Sequence, residues 1–593
     1  MNLKLVVRVM SAGLIAVMGC NSLDVENPNA PDNQKLLANP AAIEAIAGGT
    51  IRSWQNAYQG VEAVGPLSTM ARSYAASWNN AQMRFYSSID NPGDPNTTGY
   101  NPTATWTRGK TGSEPFGTFQ NDPGKAQRFQ VEWYWSGGDN EYGTAGGYPG
   151  FYAGMSSAND VLLAIRKNNL VIRSTSDTKR AEIIAMLGRA LAYQGLAMNY
   201  DSAYVITEST KLDTLTAFSN RKVVRDAAVA AFQSVIDSAG KYPFITNSSW
   251  ANGPTYTNDQ IKRFASTMAA MTLAYYPRDP GEVATQVNWA TVIAYASAGM
   301  SSGTPFDFVT VGDGCVAWCP EIATWFSDIG GGRVNTRIAI LMDPATQNDP
   351  WPLAGNKRPN SPDLRLGDGS FGPDNTRDGG SRETPIKTAA AGTDFAWSPK
   401  APMRPSRGAY HQSNIAHIRY DLSGKQDPNG IVNGYGPYPA VTATQNDLIW
   451  AEALLRRNSA GDLATAVGLI NKTHVTRGGL PAAAASDGLG AATDGPCLAT
   501  NVLATTSGAC TVWSKLLYES ELELLGLGSS PFYQQRRLPW VATCGTTAPC
   551  AGRQVQGLVP GTPFEMPVPA KELQVQAKAL YTYSAATPKS ATP

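Results

Sequence analysis

Charge is scarce in this chain. Only 16% of its 593 residues are Asp, Glu, Lys or Arg, and 48 basic side chains stand against 47 acidic ones. No basic run breaks that balance locally, so there is no electrostatic footprint for nucleic acid, and none is expected as a partner. Histidine is scarcer still, at three: His411, His417 and His474. The apolar run Val9 to Met18 is about half the ~20 residues a membrane-spanning helix needs. No Walker loop, His-Glu-x-x-His or EF-hand string is present, and no nucleophile elbow, metal or cofactor is expected.

Glycine (57), proline (40), tyrosine (24) and tryptophan (14) are plentiful. A surface of this kind interacts through aromatic faces and neutral hydrogen bonds. The first twenty residues, MNLKLVVRVMSAGLIAVMGC, combine a positive start (Lys4, Arg8) with a short apolar core. That is the pattern of an export signal. It closes on Val17-Met18-Gly19-Cys20, which looks like a bacterial lipobox, so Cys20 is the expected site of lipid attachment. Cleavage would remove residues 1–19 and leave 574. Lys4 and Arg8 would go with them, taking Lys+Arg from 48 to 46 against 47 acidic residues, a net charge of −1. The anchor would be lipid, and the rest of the chain soluble.

Six further cysteines form three local pairs: Cys315/Cys319, Cys497/Cys510 and Cys544/Cys550. In an exported chain such pairs read as loop-stapling disulfides. A zinc half-site at Cys315-x3-Cys319 is the alternative, but no histidine lies near it in sequence.

Residues 20–39 read as a polar tether. Apolar residues at i, i+3 and i+4 predict helices over 41–58, 66–85, 152–167, 179–199, 221–238, 260–275 and 289–300, and again over 447–457, 463–474 and 512–526. Residues 91–150 are too rich in proline and glycine for long helices. The organisation expected is a helical region over 40–300 carrying an aromatic loop insertion, a loop-rich region over 301–445, and a helical region over 446–593. Ile184-x2-Leu187-Gly188-x2-Leu191 and Ala228-x3-Phe232 fit the two helices of a tetratricopeptide unit, with an overlong loop between them. The fold class is therefore all-α: tetratricopeptide-like helical pairs with large loop-rich insertions and minor β. The aromatics of 301–445, among them Trp318, Trp325, Phe326 and Phe395, argue for ordered loops with short strands, since disordered segments are poor in such residues.

Six segments in order give the chain a resemblance to the SusD/RagB outer-membrane nutrient-binding lipoproteins. They are the lipoprotein cysteine with Leu23-Asp24-Val25 and Asn27-Pro28; Tyr148-Pro149-Gly150-Phe151-Tyr152 leading to Ala158-Asn159-Asp160; and Arg180-Ala181-Glu182 with Arg189-Ala190-Leu191-Ala192-Tyr193. Then come Leu448-Ile449-Trp450-Ala451-Glu452-Ala453 with Thr476-Arg477-Gly478-Gly479-Leu480-Pro481; Glu519–Glu523; and Pro567-Val568-Pro569. The chain departs from the family at 528–537, where Gly528-Ser529-Ser530-Pro531 leads to Arg536-Arg537 in place of the usual Arg and Asp. The resemblance implies a helical scaffold that captures oligosaccharides, or in some branches peptides, as a lid on a SusC-like TonB-dependent barrel.

The resemblance also directs attention to 77–86, 131–142 and 318–326. Trp78, Asn79, Asn80 and Arg84, then Trp133 and Trp135, then Trp318 and Trp325 are the candidate ligand residues. Sugar C–H faces lie flat on aromatic rings, while their hydroxyls need Asn or Arg partners. Asp139, Glu141 and Glu132 could supply paired glycosidase carboxylates, though a solvated Gly-rich loop explains them more simply. The Asp/Gly strings at 367–380 read as turns rather than a calcium loop. The leading expectation is a non-catalytic, surface-facing lipoprotein that binds an oligomeric nutrient. A protein-recruiting tetratricopeptide scaffold and a secreted glycan hydrolase are the alternatives.

Overall fold

A computed structural model describes residues 33–76, 147–212, 217–326, 332–344, 346–347, 359–366, 394–397, 413–422, 426–427, 430–431, 434–497, 510–538, 558, 564–566 and 568–578. The fold is all-α with minor β: helices dominate, and the sheets among the described residues are two-stranded and antiparallel. Helix α1 (Pro40–Gln59) starts where the Asn39 side chain accepts the amides of Ala41 and Ala42, with proline at the first helical position. α2 (Val61–Met70) and strand β1 (Tyr74–Ala76) follow. Next come α3 (Gly147–Arg166), α4 (Thr175–Asn199), α5 (Arg221–Lys241) and α6 (Asn258–Tyr275). Ser174, Asn220 and Thr257 cap the last three by accepting amides of the first turn.

These helices pair antiparallel, as end-to-end contacts show. Arg166 at the end of α3 bonds Glu182 near the start of α4, while the Tyr148 amide at the start of α3 meets the Tyr200 hydroxyl just beyond α4. The Arg221 amide at the start of α5 reaches the Asp201 carbonyl after α4. Asn258 at the start of α6 donates to the Ala239 carbonyl near the end of α5. Ala228 and Phe232 of α5 and Leu187 and Leu191 of α4 are fully buried in the main core. The tetratricopeptide spacing therefore marks a real interhelical seam.

Two short helices, α7 (Pro280–Gln286) and α8 (Trp289–Ser297), lead to the region read as loops. There β2 (Phe308–Asp313) pairs with β6 (Tyr435–Val441), β3 (Gly332–Val334) with β1, and β4 (Phe395–Trp397) with β5 (Ile415–His417). A helix, α9 (Thr336–Met342), lies in this region too, unanticipated by the loop-rich reading. α10 (Ala443–Arg457), α11 (Asp462–His474), α12 (Val512–Glu523) and α13 (Ser530–Arg536) follow, and a short helix, α14 (Ala570–Val575), comes last among the described residues. Leu448, Leu455, Ile470, Trp513 and Leu516 form a second core between α10, α11 and α12.

One expected helix differs. The periodicity over 66–85 predicts a continuous helix, yet α2 ends at Met70. Arg72 turns left-handed (φ 53°), and Tyr74–Ala76 pairs with Gly332–Val334 instead, so tertiary pairing overrides local pattern.

Glycine sets how closely the helices approach. A Cβ on Gly188 of α4 would overlap the Cβ and hydroxyl of Thr50 on α1, whose rotamer is held by a bond to the Ala47 carbonyl. Gly240 near the end of α5 faces open space. Gly188→Ala should therefore cost about 1–3 kcal/mol, as overpacking does. Gly240→Ala should be neutral or gain up to about 1 kcal/mol. Urea melts of the two variants check this contrast; equal effects would refute the close-approach account.

Candidate functional site

The β2/β6 ribbon is fixed to the helices by aromatic packing. Phe308 stacks on Phe264 of α6 (4.2 Å between centroids) and on Tyr256 (4.6 Å). The Tyr256 hydroxyl bridges the amide and carbonyl of Val309, each at 2.7 Å. Beyond β2 the chain folds into a small knot. The Asp313 carboxylate accepts the amides of Val316 (2.9 Å), Ala317 and Trp318 (both 3.1 Å). The Asp313 amide in turn donates to the Trp318 carbonyl. A Cys315–Cys319 disulfide closes the loop, and Asn56 of α1 donates to the Ala317 carbonyl at 3.2 Å. Cys497 and Cys510 also pair, beside the start of α12.

The knot leads through Pro320 into a single wide, π-type helical turn, Ile322–Phe326. Phe326 meets the Tyr74 ring edge-on at 5.5 Å, and the Tyr74 hydroxyl bonds His417 Nδ1 at 2.8 Å. Tyr74 lies in β1, whose last residue, Ala76, pairs with Gly332. Ala76, the last described residue before segment 77–86, thus ends on the wall that 318–326 builds. Of the candidate residues, Trp318 is turned inward and packs in the main core, while Trp325 is half-buried against it. Trp78, Asn79, Asn80, Arg84, Trp133, Trp135, Cys20, Cys544 and Cys550 lie outside the described residues, as do Glu132, Asp139 and Glu141.

Beneath this wall lies a buried ionic cluster. The Arg365 guanidinium is held by Asp363 (2.7 Å), Glu519 (2.9 Å) and Glu523 (2.8 Å), all fully buried. Arg419 and Arg477 also bond Glu523, Arg477 bonds Asp394, and the Tyr518 hydroxyl donates to Asp363. Burial alone would push the Glu523 carboxyl up; Arg419, Arg365 and Arg477 outweigh it and hold it down at about 2. His474 Nδ1 sits 2.9 Å from Glu519, a pairing that recurs in acid–base catalysis. Here both side chains are fully buried and Glu519 is saturated by Arg365, which fits an interior strut.

Gly299-Met300-Ser301-Ser302-Gly303 matches the letters of a nucleophile elbow, contrary to the expectation that none occurs. It follows a helix rather than a strand, and Ser301 is buried and accepts a bond from Asn446. Among the described residues no group of His, Cys, Asp and Glu suits a metal ion, and no helix is long and apolar enough to cross a membrane. Sequence reasoning missed Asp313 and Asn56, which organise the knot. The Asp313-Gly314 dipeptide is a turn signal that would have flagged the first.

No protein-family model and no curated protein matches the chain. The chain is similar in fold to solved SusD-like proteins. A SusD homolog from Bacteroides thetaiotaomicron shares 12% identity over 84% of this chain and 89% of its own, with a TM-score of 0.49. A SusD-like protein from Bacteroides fragilis shares 12% over 92% and 96%, with a TM-score of 0.49. A SusD-like carbohydrate binding protein from Bacteroides vulgatus shares 11% over 85% and 86%, with a TM-score of 0.44.

The Ala-Glu-Ala helix, α10, and the divergent 528–537 segment meet in a second buried pair. Glu452 bonds Arg537 (2.5 Å) and Arg456 (2.7 Å). Burial raises its carboxyl, but Arg537 and Arg456 overcome this and depress it from the ordinary 4.5 to about 2. A depressed carboxylate contributes stability that is complete above its unfolded value and lost as pH falls through the folded one. Glu452→Gln should therefore cost about 3–5 kcal/mol near pH 7, leaving the buried Arg537 and the partly buried Arg456 short of a charged partner. The gap from wild type should close as pH falls from about 4.5 towards 2. Guanidinium melts across that range check it; a pH-independent gap would contradict the assignment.

Proposed function

We propose that this chain is a SusD-type lipoprotein of the outer membrane. It captures an oligomeric nutrient, foremost an oligosaccharide, without chemical turnover, and hands it to a SusC-like TonB-dependent barrel. The single observation that carries the reading is the ordered set of six motif segments. The wall that carries Trp325 also holds β1, the strand that precedes segment 77–86 in the chain: Tyr74 meets Phe326, and Ala76 pairs with Gly332. Trp78, Trp133 and Trp135 would form an aromatic platform with Asn79, Asn80 and Arg84 supplying hydrogen bonds. Trp325 would face them, and Trp318 would support that wall from behind. The carboxylates of Glu523 and Glu452 are held ionised by their arginines and so could not act as general acids near neutral pH.

Aromatic contacts are worth roughly 0.5–1.5 kcal/mol each beyond area burial, so two or three rings fit micromolar binding and ready release. Changing Trp133 and Trp135 together to Ala should weaken oligosaccharide binding about tenfold or more by calorimetry, a loss of roughly 1.4 kcal/mol. The thermal transition should not move. A double variant destabilised by several kcal/mol would make those rings core, and turnover of a glycan by the wild type would defeat the binding-only reading. Cys20→Ala should release the protein from outer-membrane fractions, and native purification of the wild type should bring down a large β-barrel. Retention of Cys20→Ala in the membrane would overturn the lipid anchor.

A further inference from the structure

We propose that the knot Gly314–Cys319 is a preorganised recognition tip that presses Val316 against the apolar C–H face of a neutral oligosaccharide. The inference rests on the nutrient-binding reading above and assigns part of its contact surface. Val316 is 86% exposed, more than any other large hydrophobic side chain among the described residues. A single exposed valine on a mobile loop would need no explanation. This one stands on a loop held from every side.

Three amides of the loop end on Asp313, and the Asp313 amide ends on the Trp318 carbonyl. The disulfide joins Cys315 to Cys319, Asn56 ties the Ala317 carbonyl to α1, and Trp318 is sunk in the core. Gly434 of the opposite strand end, itself left-handed (φ 78°), lies so close that a Cβ there would meet Cys315 Sγ at 2.6 Å. Cys315 adopts φ 63°, a conformation uncommon for residues other than glycine, asparagine and aspartate. A connector between β2 and the turn at Ile322 requires none of these constraints. Their combined effect is to fix one apolar side chain in space before any ligand arrives, which removes the ordering cost that weakens loop-borne contacts.

The chemistry at the tip narrows the ligand. Its one carboxylate, Asp313, is consumed by the loop's own amides, and residues 314–319 carry no charged side chain. A tip of this kind favours neither an acidic sugar nor a charged peptide end. It suits the C–H face of a neutral pyranose, and it stands on the element that continues into Trp325 and Phe326.

The test uses the full-length protein and the hexasaccharide bound most tightly by wild type among neutral gluco-, xylo-, manno- and galacto-oligosaccharides. Val316→Asp should lower its affinity about tenfold or more with an unmoved thermal transition, and Val316→Leu should restore it. Cys315→Ser/Cys319→Ser, and mildly reduced wild type, should bind more weakly with a larger entropic penalty. Wild-type affinity in Val316→Asp would overturn the proposal. So would a variant that keeps sugar binding but loses a co-purifying protein, since the tip would then belong to a protein interface. Failure of wild type to bind any oligosaccharide would instead overturn the nutrient reading. If the cysteine variant does not fold, the two Val316 variants still decide.

Discussion

A buried guanidinium needs every one of its donors matched, and the middle of this chain is arranged around that demand at Arg365. The side chain is fully enclosed, and its nitrogens are taken by Asp363 two residues before it and by Glu519 and Glu523, one turn apart on α12. Taking a single charge out of water costs several kcal/mol, so the arrangement persists only as a set. Arg419 and Arg477 balance Glu523, and Arg477 also engages Asp394, which stands beside β4. Short pieces of a proline- and glycine-rich region are thereby fastened to the helices without a large apolar face of their own.

The same logic extends upward to the site. Arg337 of α9 bonds Glu521 on α12 at 2.7 Å and also reaches the carbonyls of Ala71 and Arg72, the turn that ends α2 and launches β1. α12 thus anchors the cluster through Glu519 and Glu523 and, by way of Glu521 and Arg337, the turn that leads from α2 into β1. In this part of the described structure, the few charged side chains serve to hold loops to helices.

The helical half was legible in the sequence because its signals are local. The seam of Leu187, Leu191, Ala228 and Phe232 follows the 3.6-residue period, and Cys315/Cys319 and Cys497/Cys510 pair as their proximity implied. What could not be read depends on partners far away in the chain. β1 exists because Gly332–Val334 lies beside it, about 260 residues on, and so the helix expected to run past Met70 stops. α9 was hidden inside a loop-rich composition. Trp318 and Trp325 look equivalent in sequence, yet the knot organised by Asp313 turns the first into the core and leaves the second half-buried. The ionic cluster was visible only in part, as the string Glu519–Glu523 and as Arg477 within its own motif; Arg337, Arg365 and Arg419 are scattered through the loop-rich region without a local signal.

Capture without turnover is tested most directly by saturation-transfer NMR on a mixture of wild-type protein and neutral oligosaccharides, followed over a day. Saturating the aromatic protons should transfer to the C–H protons of one sugar series, while the anomeric signals of that series stay unchanged throughout. New reducing-end anomeric signals, or no transfer to any oligosaccharide in the mixture, would contradict it.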